Sequence, residues 1–409
     1  MNVLMVTNTY CESTAAYRLH KELHNQGVNV KLLTLKKSND DWTVISPSSR
    51  IEKFINILRS YADQIPVKLY KYKSQTLFSP SWFGFSNIVH KINKINPDIV
   101  HLHWINGGMM RIEDIAKIKA PIVWSLHDNW AFTGGCHIMW ECERYKNNCG
   151  SCPRLGSNKD NDLSRKVFNR KQKVFSQKKD ITIVGLSHWL NECSKNSALL
   201  KDKPHINLPN PIDINVFKPF DTNTSRELWN LPKDKKLVLF GANSATSDIN
   251  KGFKELSEAL RQLQGKNIEF VVFGSSEPKN PQDFGFKTHY LGYLHDSVSL
   301  TTLYSAADVM VVPSLQEAFG QTAFEAMACG TPVVCFNATG LKDIVDHKKN
   351  GYLAKTFDTT DLKNGIEWVL NHDNYDELCK NAREKIVKKF DSKIVAEKYI
   401  ELYKELLND

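Results

Sequence analysis

The sequence predicts an α/β protein of two doubly wound, Rossmann-like domains, and three observations carry that prediction. Short β-rich apolar runs alternate with helical stretches through the first half; the same alternation restarts in the second half; and a proline-rich connector lies between them. At 409 residues the chain also exceeds one comfortable hydrophobic core, so roughly two domains of ordinary size are expected.

In the first half the runs are Asn2–Asn8, Val28–Leu35, Asp98–Trp104, Pro121–Asp128 and Ile181–Ser187. Continuous apolar strands separated by helices argue for a parallel sheet covered on both faces. The connector LPNPIDINVFKP, Leu208–Pro219, contains three prolines, which suit an extended segment and resist helix or central strand. It sets the expected division: a first domain over 1–209 with a cysteine-rich loop at 136–152, a second over 210–390, and a terminal helix over 391–409. The runs of the second domain are Lys236–Gly241, Ile268–Gly274, Val309–Pro313 and Pro332–Phe336. Two such domains facing one another make a cleft, and open α/β sheets bind ligands beyond the carboxyl ends of their strands. In the terminal helix Ile394, Val395, Tyr399, Ile400, Tyr403 and Leu407 form a helical stripe that must pack on something.

Hydrophobic residues at 41% and charged residues at 24% describe packed domains rather than a disordered or coiled-coil chain. The first residues, MNVLMVTNTY, have no basic region before the apolar run and no small-residue cleavage site after it, so a secretory signal is not expected. No apolar run approaches the roughly 20 residues of a spanning helix, and a cytosolic protein is expected. The formal charge of +9 suits nucleic acid, an anionic membrane face or a phosphorylated small molecule, or simply a soluble surface. The run from Lys159 to Asp180 interleaves eight Lys or Arg with Val167, Phe168, Val174 and Phe175, which reads as a helix with a solvated basic face.

The stretch SLQEAFGQTAFEAMACGTPVVCF, Ser314–Phe336, concentrates the chemistry. A strand ending at Pro313 is followed by Gly320, a helix from about Gln321 to Ala328, and a stop at Gly330 and Pro332. A helix N-terminus offers unpaired N–H groups and partial positive charge, so the amides of Gly320, Gln321 and Thr322 are good phosphate donors. Carboxylates beside a diphosphate would serve better on neutral hydroxyls at either side of it. Glu325, in the second turn, leans back toward the N-terminus and reaches a ribose diol; Glu317, before the helix, faces the other end. A ligand of hydroxyls, phosphates and hydroxyls is a nucleotide sugar. The bland reading keeps Glu317 as a surface loop residue and Glu325 as a helix salt bridge.

Glu317-AFGQTAF-Glu325 resembles the Glu-x7-Glu signature of retaining GT-B glycosyltransferases of the glycosyltransferase family 4 type. The resemblance extends to Asn210-Pro-Ile-Asp213 with Phe217 and Pro219, to Gly241 followed by Lys251-Gly252, and to the terminal helix, which in that fold crosses back to the first domain. SLHDNWAFTGGC, Ser125–Cys136, resembles a subgroup making bacterial surface polysaccharides: exopolysaccharide, O-antigen and capsule. It implies that Glu317 contacts the donor sugar, Glu325 the ribose and Lys251 the diphosphate, where a fixed cation stabilises the leaving group with no catalytic metal. It also places His127 near the acceptor or donor sugar, with Asp128 orienting the imidazole or binding an acceptor hydroxyl. Reaction on one face of the sugar is implied, with the departing phosphate accepting the acceptor's proton. Two positions depart from the pattern. Gly241 is followed by Ala242 where a basic residue is frequent, leaving the diphosphate to Lys251, the helix amides and neutral donors such as Ser244, Ser247 or Asn250. The glycine pair after the first strand is replaced by Cys11-Glu-Ser-Thr14, where Ser13 and Thr14 offer acceptor-side hydroxyls.

Of nine cysteines, Cys136, Cys142, Cys149 and Cys152 cluster; four thiolates can hold a closed structural zinc, and free thiols or disulfides are the other readings. The expected activity is transfer of a hexose from a nucleoside-diphosphate sugar to a glycan or lipid-linked oligosaccharide. The basic stretches Lys53–Lys73 and Lys159–Lys179 would then sit at an anionic membrane surface as a peripheral contact. Competing readings are a sugar-nucleotide epimerase or hydrolase of the same fold, and a nucleic-acid binder with a zinc knuckle. The latter lacks an aromatic-basic motif, so no nucleic-acid partner is expected. No P-loop, HExxH or Gly-x-Ser-x-Gly motif occurs.

Overall fold

A computed structural model describes residues 1–11, 14–37, 40–47, 49–84, 87–263, 267–294 and 296–408. The chain divides into two compact units, Met1–Pro209 with Ala396–Asp409, and Asn210–Val395.

The first unit contains β1 (Asn2–Val6), β2 (Thr9–Tyr10), α1 (Ala15–Asn25), β3 (Asn29–Leu33), β4 (Lys36–Lys37), β5 (Val44–Ile45), α2 (Arg50–Lys68), α3 (Ile88–Ile95), β6 (Ile99–Leu102), α4 (Ile112–Ile115), β7 (Ile122–Leu126), α5 (Leu163–Gln177), β8 (Ile181–Gly185), α6 (His188–Lys195) and β9 (His205–Asn207). Its seven-stranded sheet runs β5-β3-β1-β6-β7-β8-β9, with every neighbouring pair parallel. β6, β7 and β8 are buried along their whole lengths, which is why they read as unbroken apolar runs.

The second unit contains α7 (Thr222–Leu228), β10 (Lys236–Gly241), α8 (Phe253–Arg261), β11 (Ile268–Phe273), β12 (Thr288–Tyr290), α9 (Ser297–Ala306), β13 (Val309–Val312), α10 (Gln321–Ala328), β14 (Val333–Phe336), α11 (Leu341–Ile344), β15 (Gly351–Ala354), α12 (Thr359–Leu370) and α13 (Tyr375–Phe390). Six parallel strands run in the order β12-β11-β10-β13-β14-β15. Alternate residues such as Val238, Phe240, Phe270, Val311 and Val334 share one core with Leu256 and Leu260 of α8 and Ile366 of α12. The proline-rich segment is extended about Ile212 but, against the expectation of a wholly extended connector, turns over residues 214–216, where the Val216 and Phe217 N–H groups donate to the Asp213 carbonyl. Ile212 exchanges backbone hydrogen bonds with Phe390 and Ser392, and the Arg383 guanidinium donates to the carbonyls of Ile214, Phe217 and Ala328.

The last helix, α14 (Ser392–Asn408), belongs to the first unit from Ala396 onward. Its stripe finds strand partners: the Tyr403 hydroxyl lies 2.6 Å from His101 Nδ1, and the Tyr399 hydroxyl 2.9 Å from Ser125 Oγ. Among the described residues no helix is long and apolar enough to cross a membrane.

The basic face expected over Lys159–Asp180 is interrupted. α5 turns Lys171 inward to full burial, with its ammonium donating to the carbonyls of Trp130 and Thr133 and lying over the Trp130 ring. A lysine four residues after Val167 and three before Val174 shares their helix face, so position outranked charge.

Candidate functional site

In the second unit the strand ends β10 and β13 and the helix starts α8 and α10 build one site. Several helices of the two units open on a side-chain cap: Thr14, Asp162, Ser187, Asp221, Asp296 and Asp358 each accept a first-turn N–H. α8 and α10 instead open on glycines in the left-handed region, Gly252 at φ +70° and Gly320 at φ +102°, with no side-chain cap. A Cβ at position 252 would lie 1.9 Å from the Pro313 carbonyl oxygen, and one at 320 would lie 2.6 Å from Leu341. Close packing therefore requires glycine at both, and a helix start without its own cap is suited to an anion.

Lys251 and Glu317 meet beside these helix starts, Nζ to Oε1 at 2.8 Å, both partly buried. Burial pulls Lys251 down, but the Glu317 carboxylate more than offsets it and holds the ammonium above its ordinary range. The loop before α10 is clamped from two sides. Asn250 donates to the Gln316 carbonyl at 2.8 Å. Thr339 Oγ1 accepts the Glu317 N–H at 3.0 Å, and the Gly340 N–H donates to the Glu317 carbonyl at 2.9 Å. Glu325 is buried, its carboxylate accepting from the Tyr304 hydroxyl and the Gln321 amide, both at 3.1 Å. Gly241 closes β10 where a Cβ would overlap the Phe273 ring. Ser244 starts the following turn, its carbonyl accepting the N–H groups of Ser247 and Asp248.

In the first unit His127 and Asp128 follow β7. Each has its own partners. His127 Nε2 lies 2.9 Å from His103 Nδ1. Asp128 lies 2.6 Å from His137 Nδ1 and accepts from the Trp104 indole at 2.9 Å and the Trp130 N–H at 2.7 Å. Burial pulls the His127 imidazole down to about 4, Asp128 drawing it weakly the other way, so it is neutral at pH 7. Burial pushes Asp128 up, but His137 and these donors more than offset it and hold the carboxyl below its usual range. Thr14 caps α1, its hydroxyl accepting from Tyr17 and donating to the Cys11 carbonyl; Ser13 lies outside the described residues.

Of the three readings of Cys136, Cys142, Cys149 and Cys152, the structural zinc is not supported. Among the described residues no group of three or more His, Cys, Asp or Glu is arranged to hold a metal, and the cysteines are free. All four line one small cavity with Met139 and Tyr145. Burial pushes Cys149 up to about 12 and raises Cys136 and Cys152 as well.

A pair of doubly wound parallel domains, one opening two helices on uncapped glycines beside a lysine–glutamate pair, is GT-B architecture. The chain belongs to the glycosyltransferases of this type: residues 13–182 match Glycosyltransferase Family 4 and residues 221–388 match Glycosyl transferases group 1. An uncharacterized glycosyltransferase of Methanocaldococcus jannaschii is 26% identical over 339 residues, 76% of this chain and 84% of that protein. The D-inositol 3-phosphate glycosyltransferase of Xylanimonas cellulosilytica is 34% identical over 280 residues, 64% and 60% of the two chains. The N,N'-diacetylbacillosaminyl-diphospho-undecaprenol alpha-1,3-N-acetylgalactosaminyltransferase of Campylobacter jejuni is 29% identical over 229 residues, 53% and 58%. The match thus spans less than two thirds of the last two proteins. In fold, sucrose-phosphate synthase from Thermosynechococcus elongatus superposes with a TM-score of 0.67 at 18% identity, covering 100% of both chains. The Anabaena protein HepE, in complex with UDP and glucose, superposes at 0.64 and 15% identity, covering 99% of this chain and 100% of that one.

Thr339, Gly340, His103 and His137 escaped the sequence reading. Gly340 had a signal, a glycine just beyond the β14 strand end. The histidines had none, because their partners lie on other strands and loops.

Proposed function

We propose that this glycosyltransferase is a retaining hexosyltransferase. It moves a hexose from a nucleoside-diphosphate sugar to a glycan or lipid-linked glycan in surface-polysaccharide biosynthesis, in the cytoplasm at the membrane. The observation that carries the reading is the Lys251–Glu317 pair beside the glycine-opened starts of α8 and α10. A diphosphate takes the amides of Gly320, Gln321 and Thr322 together with Lys251, with Gly241 and Ser244 at its nucleoside side. As phosphate replaces it on Lys251, the Glu317 carboxylate turns to the sugar hydroxyls. Glu325, oriented by Tyr304 and Gln321, takes the ribose diol.

The bond from the anomeric carbon to the phosphate oxygen breaks and its electron pair stays with the phosphate, where Lys251 and the helix amides stabilise the growing charge. The acceptor oxygen bonds the anomeric carbon on the same face, and its proton passes to the departing phosphate. A neutral His127 is a hydrogen-bond partner for a sugar hydroxyl rather than the base, while Asp128 fixes the loop through His137 and Trp104. Thr14, at the start of α1, is assigned to the acceptor side. The Campylobacter relative, named for a diphospho-undecaprenol-linked acceptor, and HepE, held with UDP and glucose, support the acceptor and donor classes.

The test is a thermal-shift panel of UDP-, GDP- and ADP-hexoses with the wild type, Lys251→Met and Glu325→Gln. One nucleotide series should stabilise the wild type, and both variants should lose most of that shift. A folded wild type unmoved by every donor would rule the reading out. Turnover that proceeds equally without an acceptor would favour an epimerase or hydrolase, and an inverted product anomer would exclude retention.

A further inference from the structure

The helix α2 is built inside out. Its buried positions are Asn56, Asp63 and Val67, and its polar edge is pinned to the protein. The Asp63 carboxylate accepts the backbone N–H groups of Ser81, Trp82 and Phe83 at 3.1, 2.7 and 3.3 Å. The Gln64 amide donates to the Phe78 carbonyl at 3.1 Å. The opposite edge is apolar and faces solvent: Ile51, Phe54, Leu58, Tyr61, Ile65 and Leu69 are each between 51% and 81% exposed. Their spacing of three and four residues draws one continuous stripe, and a contiguous apolar face of this kind marks an interaction surface.

Charge chooses the occupant. Between Arg50 and Lys73 every exposed charged residue is a cation: Arg50, Lys53, Lys68, Lys71 and Lys73. The acids of the segment are withdrawn, Glu52 half-buried with Lys91 at 3.7 Å and Asp63 buried. A second copy docking through the same face would bring these cations against one another. We propose that the outer face of α2 is a membrane-docking surface for an anionic lipid bilayer, its apolar stripe sinking into the headgroup–acyl boundary while the flanking lysines meet lipid phosphates. Asn56 and Ser60 of the same helix, with Lys53 beside the stripe and Tyr61 within it, line a cavity of about 640 Å³ together with Lys36 and Trp104. Seating α2 on the bilayer brings that cavity to the membrane surface, where the head of a lipid-linked acceptor would enter. The inference rests on the lipid-linked acceptor reading, and its test is kept apart from donor binding.

The experiment is co-sedimentation with vesicles of phosphatidylglycerol and phosphatidylcholine in equal parts, against vesicles of phosphatidylcholine alone. The wild type should sediment with the anionic vesicles and lose that binding in high salt. A Phe54→Ser/Leu58→Ser/Ile65→Ser variant, altered only at exposed positions, should melt at the wild-type temperature and bind at least about tenfold more weakly. A Lys68→Ser/Lys71→Ser variant should weaken binding to anionic vesicles alone. Wild type left in the supernatant, or a triple variant that sediments like wild type, would overturn the proposal. So would a dimer, seen by light scattering, that the triple variant dissolves in the absence of vesicle binding. A donor thermal shift measured in parallel should be the same in wild type and triple variant; its absence from both would count against the donor reading and leave the docking result standing.

Discussion

Glu317 owes its position as much to the backbone around it as to its own side chain. Its N–H and carbonyl are held by Thr339 and Gly340, and Gly340 sits so close that a Cβ there would fall 2.5 Å from the Ala318 carbonyl oxygen and 2.9 Å from that of Glu317. Gly340→Ala must push this loop away from β14. It should cost about 1–3 kcal/mol of stability and weaken donor binding more than a distant substitution of equal cost, as read by urea unfolding and donor titration. Unchanged donor binding would show that the clamp does not position Glu317. Lys171 makes a second prediction. Its ordinary value is 10.5 and burial brings it down to about 7, with Cys136 and Cys149 drawing it weakly upward. The unfolded chain therefore binds the proton more tightly between pH 7 and 10, so this residue makes stability rise with pH there. In Lys171→Met that rise should flatten, a difference visible in melting temperature measured across the window; an identical slope would mean that the amine is charged when folded.

At the scale of elements, α14 shows what a sequence pattern discloses and where it stops. The stripe of Tyr399 and Tyr403 was legible from spacing alone, because buried helix faces repeat at 3.6 residues whatever they pack on. Its partner was not legible: His101 sits in an otherwise apolar strand and is fully buried, its ring nitrogens 2.6 Å from Tyr403 Oη and 2.8 Å from Ser125 Oγ. Tyr403→Phe would strand a buried imidazole nitrogen at a cost of about 1–3 kcal/mol, measurable by urea unfolding; a neutral result would mean that His101 repairs its bonding elsewhere. The strands β13 and β14 and the helix α10 were equally legible, since apolar runs, Gly320 and Gly330 punctuate them. α2 was read only by its lysines, and its outward apolar stripe was missed because amphipathic periodicity says that a face exists without saying which face turns inward. The cysteine cluster stayed open for a related reason, since proximity in sequence does not fix ligand geometry, and among the described residues no group is arranged to hold a metal.

Across the whole molecule, the histidines depressed by burial are unevenly shared. His20, His101, His103, His127 and His205 are all held below their ordinary range, chiefly by desolvation, and all belong to the first unit. His20 and His127 fall to about 4 and His101 to about 3, against an unfolded value of 6.5. Below pH 6.5 the unfolded chain takes up protons that the folded unit refuses, so the stability these residues confer is complete above pH 6.5 and is lost as pH falls through about 4. The first unit should therefore loosen on mild acidification before the second. Hydrogen exchange followed by mass spectrometry at pH 7 and pH 5, corrected for intrinsic rates, should show peptides from β6 and β7 losing protection while those from β13 and β14 keep it. Tryptophan fluorescence should follow the same event, because Trp42, Trp82, Trp104, Trp124, Trp130, Trp140 and Trp189 lie in the first unit and only Trp229 and Trp368 in the second. Equal loss from both sheets would place the acid-sensitive groups outside this histidine cluster. Loss confined to the first unit would make the fold's two halves separable in acid, with the donor-side sheet outlasting the sheet that carries His127.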